Sequence, residues 1–336
     1  MGKRYQFRSS HPLGKVMGER TIMKNKKRTA WLSVLTAAIL LAVGLTTPYL
    51  LMNAEHEELN EAARADLPGQ FIPLSQGVTH YETGGTEDGQ PVLLVHGFSA
   101  PSFVWDPLWQ DLAENGFYAI RFDLYGRGYS DRPAVDYNTE VFTTQIDELI
   151  TALEVSQPVN IIALSLGGAI AAAYTNQHPQ QVRRLVLIDP QSEDITPQKI
   201  FPVNLPGVGE YLMTVYILPE RLMKPGADFA DPQGFPQWET AYRPQIQYRG
   251  FRRALLSTLR HFDLDVQAQY RQLSSQNISV LIVWGEKDTD VSREAVERTH
   301  QSIQGSQLFI VENAGHNAHY ERPDLVNPVI VDFLSQ

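Results

Sequence analysis

Residues Val159–Ala173 read VNIIALSLGGAIAAA, and the change of pattern inside this stretch decides the fold. The first six positions are rich in Val, Ile and Leu and too short to make a helix, which is the signature of a strand buried on both faces. After Ser165 the composition turns to glycine and alanine at helical spacing. A strand therefore turns sharply into a helix, with a serine at the apex. Such a turn brings the two backbones close and demands small residues two before and two after the serine. Gly167 meets that demand, while Ala163 adds one methyl where glycine is usual.

Similar short apolar runs lie on either side: Phe71–Leu74, Val78–Thr83, Val92–Val95, Ala119–Phe122, Leu185–Ile188, Val280–Trp284 and Leu308–Val311. Helical patterns such as Val141–Leu153 and Gly168–Asn176 fall between them. Strands alternating with helices predict an α/β fold with a mostly parallel, doubly wound sheet, whose ligand sites lie beyond the carboxyl ends of the strands. About 89 residues separate Asp189 from Ile278, far more than one helix and its loops. Eight prolines between Thr196 and Pro244, with Phe201, Tyr211, Tyr216, Phe229, Phe235, Trp238 and Tyr242, predict short helices folded as a cap over the strand ends. The expected organisation is a core over 71–190, a helical cap over 191–270 between the sixth and seventh strands, and the rest of the core over 271–336.

The strand ends carry the chemistry. Val92–Val95 runs into His96-Gly97-Phe98, so the backbone N–H groups of Phe98 and Leu166 are placed to face one developing oxyanion. His96 reads as a brace for that loop. A serine nucleophile needs a base, and the base needs an orienting acid. Val280–Trp284 leads into Gly285-Glu286-Lys287-Asp288, and Leu308–Val311 into Glu312-Asn313-Ala314-Gly315-His316. The chain order is thus Ser165, Asp288, His316. Asp189 is the rival acid. Asp290 and Glu286 read as solvated charges, Asp123 as a residue ordering its turn, and His319 and His178 as surface residues. His261 is open between cap and site, and Phe103 and Trp105 between pocket wall and core.

Several pieces in this order resemble the α/β-hydrolase superfamily, specifically its capped, serine-nucleophile branch: HGF at 96–98, FDLYGRGYSDRP at 122–133, ALSLGG at 163–168, GEKD at 285–288 and AGH at 314–316. The resemblance covers Phe71 to Gln336. It implies Ser165 as nucleophile, His316 as base, Asp288 as its partner and the insertion as a mobile cap over a pocket for a small-molecule acyl substrate. Related dehalogenases and epoxide hydrolases use aspartate where Ser165 stands. C–C bond hydrolases carry an aromatic residue where Asn317 follows His316. The alternatives are such a C–C hydrolase, a cofactor-free haloperoxidase or perhydrolase, or a membrane-tethered binding protein.

The N-terminus has its own logic. Nine of the 28 basic residues fall in the first 30 positions, against one of the 38 acidic residues. Trp31–Met52 (WLSVLTAAILLAVGLTTPYLLM) is free of charge and long enough, at about 1.5 Å per residue, to cross a hydrocarbon core of about 30 Å. Basic residues before it and Glu55, Glu57 and Glu58 after it put the body outside the cytoplasm; the short basic head points to a bacterial inner membrane, and an anchor facing the endoplasmic reticulum has the same look. A cleaved signal peptide is the alternative, although Met52 fits the small-x-small rule poorly before a cut at Ala54. Met23 opens a second, shorter basic head. Residues 53–70 read as an acidic linker holding the body off the bilayer. The net charge of −10 argues against a nucleic-acid partner, and the absence of cysteine removes thiolate chemistry and Cys-ligated metal. No cofactor is expected, since neither HExxH nor a glycine-rich phosphate loop is present.

Overall fold

The computed structural model describes residues 1–2, 13–224 and 226–336, so residues 3–12 of the basic head lie outside the described residues. It divides into two units, Met1–Met52 and Asn53–Gln336. The first is one helix, Leu13–Leu51. Its Lys26–Leu51 stretch has a mean hydropathy of 2.0, with none of its apolar window buried, and meets the length and composition needed to cross a bilayer.

The second unit is built on an eight-stranded sheet in the order β1-β2-β4-β3-β5-β6-β7-β8. The strands are β1 (Gln70–Leu74), β2 (Gly77–Gly85), β3 (Pro91–Val95), β4 (Tyr118–Phe122), β5 (Val159–Leu164), β6 (Val182–Ile188), β7 (Ser279–Gly285) and β8 (Gln307–Val311). Only the β1–β2 and β2–β4 pairings are antiparallel; the rest are parallel, so strands β3 to β8 end on one edge. Every residue of β3 and β5 is buried, which explains their unbroken apolar runs.

Helices cover both faces. Phe142 and Ile146 of the helix Thr139–Ala152 and Ile170 of Leu166–Gln177 pack with Leu93, Ile120 and Ile161 on one side. Leu108 and Leu112 of Asp106–Glu114 and Ile330 and Phe333 of Pro323–Ser335 pack with Val92, Leu94 and Ile162 on the other. Each such side chain contributes about 1.5–3 kcal/mol on burial.

Between β6 and β7 the chain forms short helices, among them Val208–Leu212, Met213–Ile217, Leu218–Met223, Pro236–Tyr242 and Phe251–His261. The boundary expected at residue 270 falls inside the helix Val266–Leu273, whose Val266, Tyr270 and Leu273 pack into the core beside Ile170. That helix belongs with the sheet because its apolar face repeats at i, i+4 and i+7 and has the core as its neighbour.

The acidic linker expected over 53–70 is not a free stalk. Glu55 is buried, its carboxylate accepting the backbone N–H groups of Gly250 and Arg252, and His56 and Glu57 donate their backbone N–H groups to Gln247 O. A carboxylate at the start of the helix Phe251–His261 satisfies N–H groups that the helix itself leaves unpaired.

Candidate active site

The turn after β5 holds Ser165 at φ 52° and ψ −119°, a conformation that costs a non-glycine residue energy. Surrounding bonds hold it there: its N–H donates to Ile188 O on β6, and its carbonyl accepts from Gly168 and Gln191 N–H. A Cβ on Gly167 would lie 2.5 Å from the carbonyl oxygens of His96 and Val95, so this position admits no side chain.

The loops after β7 and β8 meet at this serine. His316 Nε2 lies 2.9 Å from Ser165 Oγ, and His316 Nδ1 lies 2.9 Å from Asp288 Oδ2. The Asp288 side chain is wholly buried, and its other oxygen accepts the N–H groups of Asp290 at 2.7 Å and Val291 at 2.9 Å. Both lone-pair sides of the carboxylate are thereby fixed, which orients the imidazole. Burial acts to lower the His316 pKa, but the hydrogen bond and charge of Asp288, joined by Asp189 and Asp290, carry it up to about 9.

The rival acid has another task. Asp189 accepts the N–H groups of Gly285 at 2.8 Å and Ala318 at 3.0 Å, tying the β7 end to the segment after His316. Burial, reinforced by the charge of Asp288, pushes its carboxyl pKa up. Asp290 is an exposed loop charge, as expected, but its carboxylate lies 3.9 Å from His316 Nε2, and partial burial raises its pKa.

His96 accepts the N–H of Leu124 on Nε2, and its Nδ1 meets Gly97 O; burial lowers its pKa to about 4, so it braces the loop as a neutral ring. Beyond that loop, the N–H groups of Phe98 and Leu166 have no acceptor among the described residues.

His319, expected at the surface, is fully buried against the Trp105 ring, with Nε2 3.0 Å from Val104 O; burial holds its pKa down to about 3. It lies in the short helix Ala318–Glu321 that follows the His316 turn, and packing puts it inside, which spacing alone does not reveal. Trp105 and Phe103 are core residues, Phe103 lying edge-on to Trp238. His178 is half-buried and stacks on Tyr174. His261 stays in the cap, 3.1 Å from Ser257 Oγ.

The cap contributes residues that the sequence did not single out. Arg221 and Asp228 form an ion pair with N···O of 2.6 Å, and both line a narrow well of about 120 Å³ with Ser165, His316, Phe98, Trp238 and Tyr242. The Asp228 carbonyl accepts the backbone N–H of His316 at 2.8 Å. Glu321 spans the same junction, accepting Gly315 N–H from the histidine loop and Ala230 N–H from the cap. A larger cavity of about 520 Å³ adjoins, sharing Phe98, Ser99, Arg221 and Tyr242 and walled by Ile200, Val203, Met213, Leu218, Leu255 and Leu259. A third space of about 350 Å³ touches Ser165 and His316 from the side of Gln191, Glu193 and Ser292.

Residues 92–329 match the sequence model of the alpha/beta hydrolase family. The chain belongs to that family. Among curated relatives it is 28% identical to Lipase 1 of Psychrobacter immobilis, over 76% of this chain and 80% of that one. It is 27% identical to Lipase 3 of Moraxella sp. (strain TA144), over 76% and 81%. Among solved structures, the esterase of Exiguobacterium antarcticum superposes with a TM-score of 0.67 at 25% identity, covering 80% of this chain and all of that one. The enol-lactonase of Burkholderia xenovorans LB400 superposes at 0.70 with 19% identity, over 80% of this chain. This α/β hydrolase is accordingly an enzyme that cleaves bonds with water, and the strand-end cluster is where its geometry concentrates reactive groups.

Proposed function

We propose that this hydrolase cleaves a carboxylic ester of a small or medium apolar acid through an acyl-enzyme on Ser165. One observation carries the reading: the unbroken relay from Ser165 Oγ through the His316 ring to the buried Asp288, at 2.9 Å in each step. Neutral His316 takes the serine proton as Oγ attacks the carbonyl carbon. The N–H groups of Phe98 and Leu166 receive the negative oxygen, each such donor being worth about 3–4 kcal/mol of barrier. Imidazolium then protonates the departing alkoxide, the acyl group stays on Oγ, and His316 deprotonates a water that releases the acid. Asp288 orients the ring and balances its charge without taking the proton. The apolar cavity takes the acyl chain. The lipase and esterase names of relatives support an ester over other acyl bonds.

The same reading assigns Trp31–Met52 as a membrane anchor, with the catalytic unit outside the cytoplasm. Its support is the apolar, uncharged helix and the basic residues that precede it.

Hydrolysis of p-nitrophenyl esters from acetate to palmitate by the full chain in detergent tests the proposal, with Ser165→Ala alongside. Turnover with a chain-length optimum, reduced by about 10⁴-fold or more in the variant, is the expected result. Equal turnover by both proteins would overturn it.

A further inference from the structure

The turn Gly126-Arg127-Gly128 after β4 buries a charge that the serine–histidine–aspartate relay does not use. Arg127 is fully buried, and its partners are uncharged oxygens: Nε donates to Phe98 O at 2.8 Å, Nη1 to Tyr125 O at 3.1 Å and Nη2 to Thr258 Oγ1 at 2.8 Å. The rings of Phe98, Tyr137 and Phe142 lie around its Cζ at 5.5, 5.8 and 5.4 Å. Burial lowers its pKa to about 10, so the guanidinium is protonated at neutral pH. Removing such a cation from water with no counter-ion opposes folding, and an apolar side chain would fill the space without that penalty. What the guanidinium adds is a rigid fork that reaches three segments at once.

Two prongs of the fork bear on the reaction. Phe98 supplies one of the N–H groups assigned above to the oxyanion, and Arg127 holds the carbonyl of that residue and faces its ring. Thr258 belongs to the cap helix Phe251–His261, and its hydroxyl donates to Ala254 O, which leaves a lone pair for Arg127. The turn presses against the same helix. Gly126 has φ 84°, and a Cβ there would lie 2.3 Å from Ala254 Cβ, so glycine lets Arg127 come within reach. Ala254 and Thr258 form one stripe of the helix at i, i+4. Leu255 and Leu259 form the neighbouring stripe and wall the large cavity. A single rigid helix thus meets the acyl cavity on one stripe and the support of the oxyanion loop on the next.

We infer that Arg127 is a positioning residue that ties the Phe98 oxyanion donor to the cap helix lining the acyl cavity, so that an acyl chain long enough to pack on that helix raises kcat rather than only lowering KM. Contacts remote from the reacting bond accelerate a reaction only when they are expressed in the transition state, and a donor held in place is one such expression. The inference rests on the ester hydrolase reading above.

The test follows p-nitrophenyl acetate and octanoate with the full chain in detergent, and uses a trifluoromethyl ketone of octanoyl length as inhibitor. Ser165 Oγ adds to the ketone carbonyl and leaves an oxyanion where the ester would, so ketone affinity reads the donors separately from turnover. Thr258→Val removes the acceptor and keeps the shape, Thr258→Ser keeps the acceptor, and Arg127→Lys keeps the charge without the fork. For Thr258→Val, kcat on octanoate and ketone affinity are each expected to fall about tenfold, while KM and acetate turnover stay within about twofold. The inflection of its pH–rate profile should not move, because His316 and Asp288 are untouched. Thr258→Ser should match the parent, and Arg127→Lys should lose turnover on both esters. Parental kcat on both esters in Thr258→Val or in Arg127→Lys overturns the inference. So does a loss in Thr258→Val that is equal on acetate and octanoate with ketone affinity unchanged, or one confined to KM, because the helix then serves only the fold or the cavity wall. A parent chain that cleaves neither ester and does not bind the ketone rejects the ester reading and this inference together, a result distinct from an active parent with unaffected variants.

Discussion

Ser165 is held at a positive φ by three backbone hydrogen bonds, and the cost of that conformation is what lifts its Oγ clear of the sheet toward His316. In the proposed mechanism the imidazole must be neutral to accept the serine proton. Because Asp288 and its acidic neighbours raise the His316 pKa to about 9, activity is expected to climb with pH and level off only above that value. Asp288→Asn removes the charge, so the inflection should move to lower pH while kcat falls by about 10⁴ as the ring loses its orientation. A pH–rate profile of both proteins reads this directly, and an unmoved inflection would assign the titration to another group. Glycine is required at 167 for a different reason. Gly167→Ala sets a methyl against two carbonyl oxygens at 2.5 Å, and urea unfolding is expected to show a loss of about 1–3 kcal/mol together with lost turnover.

Among the elements, the loop after β4 shows how a buried charge fixes geometry. Asp123 accepts from His80 at 2.7 Å and from the N–H groups of Ser102 and Tyr129 at 2.8 Å, joining β2, the loop after β3 and the GRGYS turn. Burial opposes the charge, but the charge and hydrogen bond of His80 hold the carboxyl below the ordinary carboxylate range. Its contribution to stability is therefore full above that range and is lost as pH falls through the folded value. Asp123→Ala leaves His80 buried beside empty space and should cost about 3–5 kcal/mol in denaturant titration at neutral pH. In the cap, Met213 lines the large cavity and is itself buried. Met213→Trp is expected to shift the preferred acyl chain several carbons shorter without changing kcat/KM for acetate, as a p-nitrophenyl ester series would show.

At the scale of the whole molecule, what the sequence displays depends on the range of the interaction. The strand β5, its turn and the glycine at 167 are legible because their constraint is local: an unbroken apolar run, close backbone approach and a sharp bend act within about ten residues. That Asp288 and His316 meet beside Ser165 is legible because parallel strands deliver their carboxyl ends to one edge whatever the loops do. The residues that elude sequence reading owe their positions to partners far along the chain. His319 is inside because Val104 and Trp105 meet it there, and Glu55 is buried because the start of the helix Phe251–His261 receives it. Arg221 and Asp228 reach the well through a cap of short, proline-broken helices, whose packing no periodicity encodes. Glu55→Ala should accordingly loosen the cap from the segment that begins at Asn53, detectable as faster amide exchange at Gly250–Arg252 while β5 stays protected.

The central claim is that Ser165 is the nucleophile, and the most direct measurement is mass spectrometry of the full chain after a fluorophosphonate inactivates it. The account predicts one adduct, on the peptide containing Ser165, formed at the rate at which ester hydrolysis disappears and absent from Ser165→Ala and His316→Ala. Hydrolysis lost with no adduct on Ser165, or an adduct on another residue tracking the loss, would contradict it.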